Sequence, residues 1–436
     1  MIFNWGDLPS VTAVTNTLSK FAKVLGLQAN PDKTNIYMGG VRGDVKQLIL
    51  DATGYIEGSF PFRYLGVPLN AGKLNKEMFA DLIAKIQQSL HHWSAYKLSY
   101  AGRISLINTV IFGLEQFWCS TLLIPKGVIK MITKFCRNFL WNSEEGNRKL
   151  IWKSWVSCCE PHQEGGFQIK EVLAWNRSVM CKWIWDIENH SDNLWVNWNY
   201  EYNIKSGIVW DQEIKPCHSE SRRNILQVKD LLLQQFGSSD AVQQILHSCA
   251  KNGKLKMDLI YEHFRTKFEK FRWPIAVWSR AVLPKHSLIT VLAMQNKLAT
   301  IDQLNSRGIC LVNWCVLCKQ DAESHTHLFF RCYFSSTIWS IILHWMKISG
   351  RSMQLKRELN WIVSRRAKKH WKALWFSGCV AALVYSIWEE RNIRIFQGIE
   401  HDIQYVVKRI QFILSTRILH VLPTCRHVMF RVACNV

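Results

Sequence analysis

Apolar residues recur every three or four positions through most of this chain, which predicts a mainly helical protein with a small α+β N-terminal part. Val11, Val14, Leu18, Phe21 and Leu25 form one such stripe, so a helix is expected over Leu8–Leu25. Gly26 follows as a stop, since glycine adopts left-handed backbone angles at little cost. Asn30-Pro31-Asp32 is turn chemistry. Residues 35–38 read as a short strand closed by Gly39 and Gly40, and Tyr64-Leu65-Gly66-Val67-Pro68-Leu69 as another, with Pro68 marking an edge or end.

The helical period dominates from residue 76. Phe79, Leu82, Ile83, Ile86, Leu90 and Trp93 share one face. Leu98, Ile104, Ile107, Ile111, Leu114 and Trp118 suggest a second helix entered through Ser99 and Gly102, and Pro125 opens a third striped by Val128, Ile132, Phe135 and Phe139. Gly165-Gly166 is a break before a helix over 172–187. Residues 191–256 lack a period and read as a connecting region. Helical spacing returns over 259–271, 276–296, 337–347 and 367–420, punctuated by Pro274 and Pro284. The expected divisions are 1–75, 76–190, 191–256, 257–345 and 346–436.

Charge adds direction. The 436 residues carry 55 Lys+Arg against 33 Asp+Glu, a net charge of +22, and half of that excess lies in residues 346–436. Such a balance points to a polyanionic partner, here RNA and/or DNA. Arg365, Arg366, Lys368, Lys369 and Lys372, interleaved with Trp371, are the expected nucleic-acid contacts; the bland reading is a solvated helix face. A membrane is not an expected partner, because the most apolar stretch, 377–388, is shorter than the about 20 residues a spanning helix needs and reads as a buried helix. Nor does any motif call for a small-molecule substrate. The N-terminus lacks the basic-then-apolar pattern of a secretory signal, so the 14 cysteines are expected in a reducing compartment, nuclear or cytoplasmic.

Cysteine spacing supplies the strongest chemical signal. Cys315 and Cys318 are followed by His327 and Cys332, giving Cys-x2-Cys-x8-His-x4-Cys. Three thiolates and an imidazole are what structural zinc takes, with no open position for catalysis. His325 could substitute for His327. The competing reading is a set of buried thiols and a surface histidine, but four such groups within 18 residues favour the metal. Known catalytic loops are missing, and no Asp-Asp pair occurs anywhere in the chain. The adjacent acids Glu144-Glu145 and Glu389-Glu390 read as solvated charges.

Several segments, taken in order, resemble the C-terminal portion of the reverse transcriptase of plant LINE-type (non-LTR) retrotransposons. Residues 26–34 look like the palm segment that follows the catalytic aspartates, and 64–69 like the primer-grip hairpin. Leu98-Ser99-Tyr100-Ala101-Gly102-Arg103-Ile104 and Phe139-Leu140-Trp141 look like the helical thumb, continued by Glu164-Gly165-Gly166-Phe167 and Trp175-Asn176. Cys315, Cys318, His327-Leu328-Phe329-Phe330 and Cys332 resemble the reverse-transcriptase zinc-binding domain, and Trp388-Glu389-Glu390-Arg391-Asn392 a segment after it. The resemblance implies a palm remnant, a helical thumb, a small zinc-binding module holding structural Zn2+ and a helical basic C-terminal region. It also implies a Tyr/Phe-Ala-Asp-Asp motif that these residues lack. The expectation is therefore a truncated, non-catalytic remnant with zinc-dependent RNA/DNA binding. The alternatives are an active RNA-directed DNA polymerase, if an upstream catalytic segment is missing from the gene model, and a zinc-dependent protein-interaction module.

Overall fold

The computed structural model describes residues 2–27, 30, 34–70, 75–94, 96, 98–141, 151–205, 207–216, 218–309, 313–348, 354–365 and 370–421. It is mainly helical, with three two-stranded sheets among the described residues. The chain forms two compact units. One comprises Met1–Lys85, Gln116–Ile129 and Asn176–Tyr261; the other comprises Ile86–Glu115, Lys130–Trp175 and Glu262–Val436.

In the first unit the helix Leu8–Leu25 forms as expected, capped by the Asp7 carboxylate on Ser10 N and ended by Gly26 at φ 66°. It buries no residue fully, so its apolar stripe remains part-exposed. Residues 64–69, read from their pattern as one strand, are instead a turn between two. Phe62–Tyr64 pairs antiparallel with Val67–Leu69. Leu65 and Gly66 both take positive φ, which matches the twist of a two-residue hairpin loop. The hairpin is the form implied by the resemblance. Asn176 is fully buried and serves the chain leaving the helix Phe112–Thr121: its Oδ1 accepts from Ile124 N, and its Nδ2 donates to the Cys119 and Leu122 carbonyls.

The region read as a connector is structured. It holds the helices Leu194–Asn199, Glu220–Phe236 and Ser239–Ser248, the last two N-capped by Ser219 and Ser238. Arg222, Asn224 and Lys229 are buried on Glu220–Phe236, and these polar side chains interrupt the period that would have revealed the helix. The two cations bond internally: Lys229 Nζ donates to the carbonyls of Trp210 and Gln212, and Arg222 to Asn199 and Gln212.

The second unit is built around the helix His370–Gln397, whose residues 379–384 and Ile387 are at most 1% exposed. An apolar run buried on all sides explains why 377–388 is so hydrophobic without being long enough to span a membrane. No helix among the described residues is long and apolar enough to do so. Around it pack Pro284–Met294, Leu355–Arg365, Tyr333–Trp345 and Ile403–Val421. Gly378 permits close approach, since a Cβ there would stand 3.2 Å from Leu414 Cδ2. Each fully buried Leu or Ile contributes about 1.5–3 kcal/mol, so this helix dominates the unit's stability.

The Glu164-Gly165-Gly166 segment is a built turn. Gly165 sits at φ 87°, and a Cβ on Gly166 would fall 1.8 Å from the Glu160 carbonyl oxygen. Buried Lys153 donates to the Gly165 carbonyl and to Gln295 Oε1. Glu164 grips Arg265 with two hydrogen bonds of 2.6 and 2.7 Å. The helix Met257–Phe264 ends at that pair, and residues 265–273 run on without regular secondary structure instead of the helix expected through 271.

Candidate metal centre

Cys315 opens a tight turn in which its N–H donates to the Asp321 carbonyl and its own carbonyl accepts from Lys319 N, at 2.7 and 2.8 Å. Lys319 takes φ 56° to close the turn. The N–H groups of Leu317 and Cys318 point at the Cys315 sulfur. Fourteen residues downstream of Cys318, Cys332 forms the N-cap of Tyr333–Trp345, and the N–H groups of Phe334 and Ser335 point at its sulfur. Sulfurs that accept backbone N–H bonds, one of them at a helix N-terminus, are environments that favour thiolate. His327 begins a single π turn, His327–Arg331, that carries its ring toward the two sulfurs.

The four ligand atoms lie within 4.8 Å of one another. Cys315 Sγ is 3.9 Å from Cys332 Sγ, and Cys318 Sγ is 3.4 Å from His327 Nε2. Zinc–sulfur bonds of about 2.3 Å and zinc–nitrogen bonds of about 2.0 Å in a tetrahedron put ligand atoms about 3.5–3.8 Å apart, so the set fits. Cys315 and Cys332 are fully buried and His327 nearly so. Cys315 Sγ donates to Cys332 Sγ, so the two buried sulfurs are coupled. The hydrogen bond to Cys332, with burial, pushes the Cys315 thiol up, whereas the bond from Cys315 holds Cys332 below its ordinary value. A divalent ion is what lets both ionise together. Asp321 Oδ2 stands 3.8 Å from His327 Nδ1, on the side away from the sulfurs.

His325 is not part of this set. Leu298 N donates to its Nε2 at 3.1 Å, which leaves the proton on Nδ1, 3.2 Å from Thr300 Oγ1. Thr300 in turn donates to Asp302. Burial holds His325 below the ordinary imidazole value, consistent with that neutral tautomer. Both ring nitrogens are spent on joining residues 298–302 to the loop.

The loop is fastened to the central helix by residues the sequence reading passed over. Glu323 is wholly buried; Arg391 grips it at 2.8 Å and Ile301 N donates to it. Arg394 donates to the Leu317 carbonyl inside the Cys-x2-Cys turn at 3.2 Å, to Glu390 Oε1 at 2.8 Å and to the His401 carbonyl. Glu390 also receives His401 N. It is 2% exposed, which corrects the reading of Glu389-Glu390 as solvated charges. Burial alone would raise the Glu390 carboxyl, but the Arg394 and His401 hydrogen bonds hold it below the usual range. The Trp388-to-Asn392 motif was the available signal: Arg391 stacks over Trp388, and the adjacent acid faces inward. Glu144 and Glu145 lie outside the described residues.

Of the expected nucleic-acid contacts, Arg366, Lys368 and Lys369 lie outside the described residues. Arg365 and Lys372 stand near helix ends, but their side chains are likewise outside the description.

Residues 256–339, which contain all four ligands, match the family model described as zinc-binding in reverse transcriptase. The chain is also 26% identical over 130 residues to the Arabidopsis thaliana protein "Putative ribonuclease H protein At1g65750". That similarity covers 30% of this chain and 21% of the relative's length.

Proposed function

We propose that this chain is a zinc-stabilised, non-catalytic nucleic-acid-binding portion of a plant LINE-type reverse transcriptase. The observation that carries the reading is the convergence of Cys315, Cys318, His327 and Cys332 within the segment similar to the reverse-transcriptase zinc-binding family. Zinc there would supply folding free energy through four filled positions. In the same reading, residues 1–75 derive from a palm and 76–190 from a thumb that follows a primer–template backbone. Such contacts carry charge and little sequence information.

The state of the acids supports binding over chemistry. Two-metal polymerase and nuclease sites need converging carboxylates. Among the described residues four acids of the C-terminal region are engaged with cations or caps, and the fifth, Glu358, is wholly buried. Glu389 pairs with Arg409, Glu390 with Arg394, and Glu400 with Lys319, while Asp402 caps Tyr405 N.

Equilibrium binding of a labelled RNA across a salt series tests the reading. With about five phosphate contacts, affinity for a single strand should fall roughly a hundredfold between 50 and 200 mM salt. A flat dependence sinks it. Purified protein should also carry about one zinc per chain, and metal content unchanged by Cys315→Ala and Cys332→Ala would remove these residues as ligands.

A further inference from the structure

Residues 266–272 form an exposed strap in which cations and aromatics alternate. Lys267, Phe268, Lys270, Phe271 and Arg272 are all exposed, with Glu269 the one acid among them. Phe268 and Phe271, 42% and 38% exposed on an irregular segment, call for an explanation. The strap is also fixed in place. At its start stands the buried Glu164–Arg265 pair; Phe268 N donates to Glu164 Oε2 at 3.2 Å, and Phe271 N to the Gln163 carbonyl at 2.7 Å. The backbone is therefore pinned while both residues keep exposed surface, the Phe271 ring stacking on Trp273 at 5.9 Å.

The strap leads directly into a cavity of about 370 Å3 lined by His162, Gln163, Trp278, Ser279 and Arg280. The His162 ring stacks on Trp278 at 3.8 Å and 7°. Trp278 Nε1 and Ser279 Oγ find no hydrogen-bond partner, although Ser279 is only 8% exposed. Arg417 donates to the Arg280 carbonyl and places a second guanidinium beside the rim. Pro274, Ile275 and Leu374 complete its lining, which mixes apolar and polar surface.

We infer that the strap binds single-stranded nucleic acid at the edge of this cavity: Phe268 and Phe271 stack on unpaired bases, and Lys267, Lys270 and Arg272 neutralise phosphates. Flat exposed rings can reach base faces only where bases are unpaired, and alternation with cations suits a strand whose phosphates and bases also alternate. The inference rests on the proposed nucleic-acid function and locates it on residues 266–272 beside the cavity.

The full-length, zinc-loaded protein is titrated with a fluorescein-labelled single-stranded RNA of about 12 nucleotides, a length within the usual footprint of such sites. The double variant Phe268→Ala/Phe271→Ala should weaken binding by about tenfold or more at unchanged zinc content. The triple variant Lys267→Ser/Lys270→Ser/Arg272→Ser should lower the slope of log K against log salt by about 2. RNA carrying 4-thiouridine should crosslink to peptides within 266–280, a readout that needs no variant to fold. Wild-type affinity in both variants, or crosslinks confined to other segments, overturns the strap while leaving the proposed function standing. Failure of the wild type to bind RNA at low salt removes both. Phosphatidylserine vesicles are the parallel arm: vesicle binding lost in the Phe variant with RNA binding intact would assign the strap to a membrane surface and overturn the inference.

Discussion

His325 and His327 are two residues apart and chemically identical, yet only one faces the sulfurs. His327→Ala should release the zinc. His325→Ala should retain it and destabilise by about 1–3 kcal/mol, because Leu298 N and Thr300 lose buried partners. Metal analysis and thermal melting of the two variants separate these outcomes. The ligand spacing was legible because it is local; the choice between histidines was not, because it is made by residues 298 and 300. Glu115 shows the same dependence on surroundings. It is 3% exposed, and burial pushes its carboxyl up to about 8. A raised folded value means that its protonated form favours folding fully below the unfolded value of about 4.3. That advantage is lost as the pH rises from there toward 8. Glu115→Gln should therefore flatten the decline in stability across that window. Urea midpoints at pH 5 and pH 8 that change equally in variant and wild type would refute this.

At the level of elements, regular helices were readable and interrupted ones were not. The stripes over residues 79–93 and 126–139 gave the helices Ala80–Ser94 and Lys126–Trp141 because apolar side chains alone cover those faces. Glu220–Phe236 escaped notice because buried Arg222, Asn224 and Lys229 sit where the period demands apolar residues. Residues 265–271 continued a helical period but leave the helix where Arg265 meets Glu164, an acid about 100 positions earlier in the chain. The double-glycine turn that presents Glu164 is correspondingly intolerant. Gly166→Ala would drive a methyl into the Glu160 carbonyl and should cost about 3 kcal/mol or more, read from chemical denaturation. A change below about 0.5 kcal/mol would show that the turn can relax.

On the scale of the whole molecule, the mainly helical class and the N-terminal hairpin were anticipated, whereas the fastening of the metal loop was hidden in pairings between distant positions. Glu323–Arg391 and Arg394 on Leu317 couple the ligand turn to the central helix. Chelating the metal should therefore raise amide hydrogen exchange at residues 313–332 and 390–401 together. An increase restricted to 313–332 would show the fastening to be incidental. The central helix also has a consequence in time. Pro284–Met294 is buried along almost its whole length and packs chiefly on His370–Gln397, which lies up to about 100 residues later and leaves the ribosome roughly 5–20 s afterwards. For that interval the nascent chain displays an apolar helix that lacks its main partner. Yield in a cell-free system should accordingly depend on added chaperone far more during synthesis than after release.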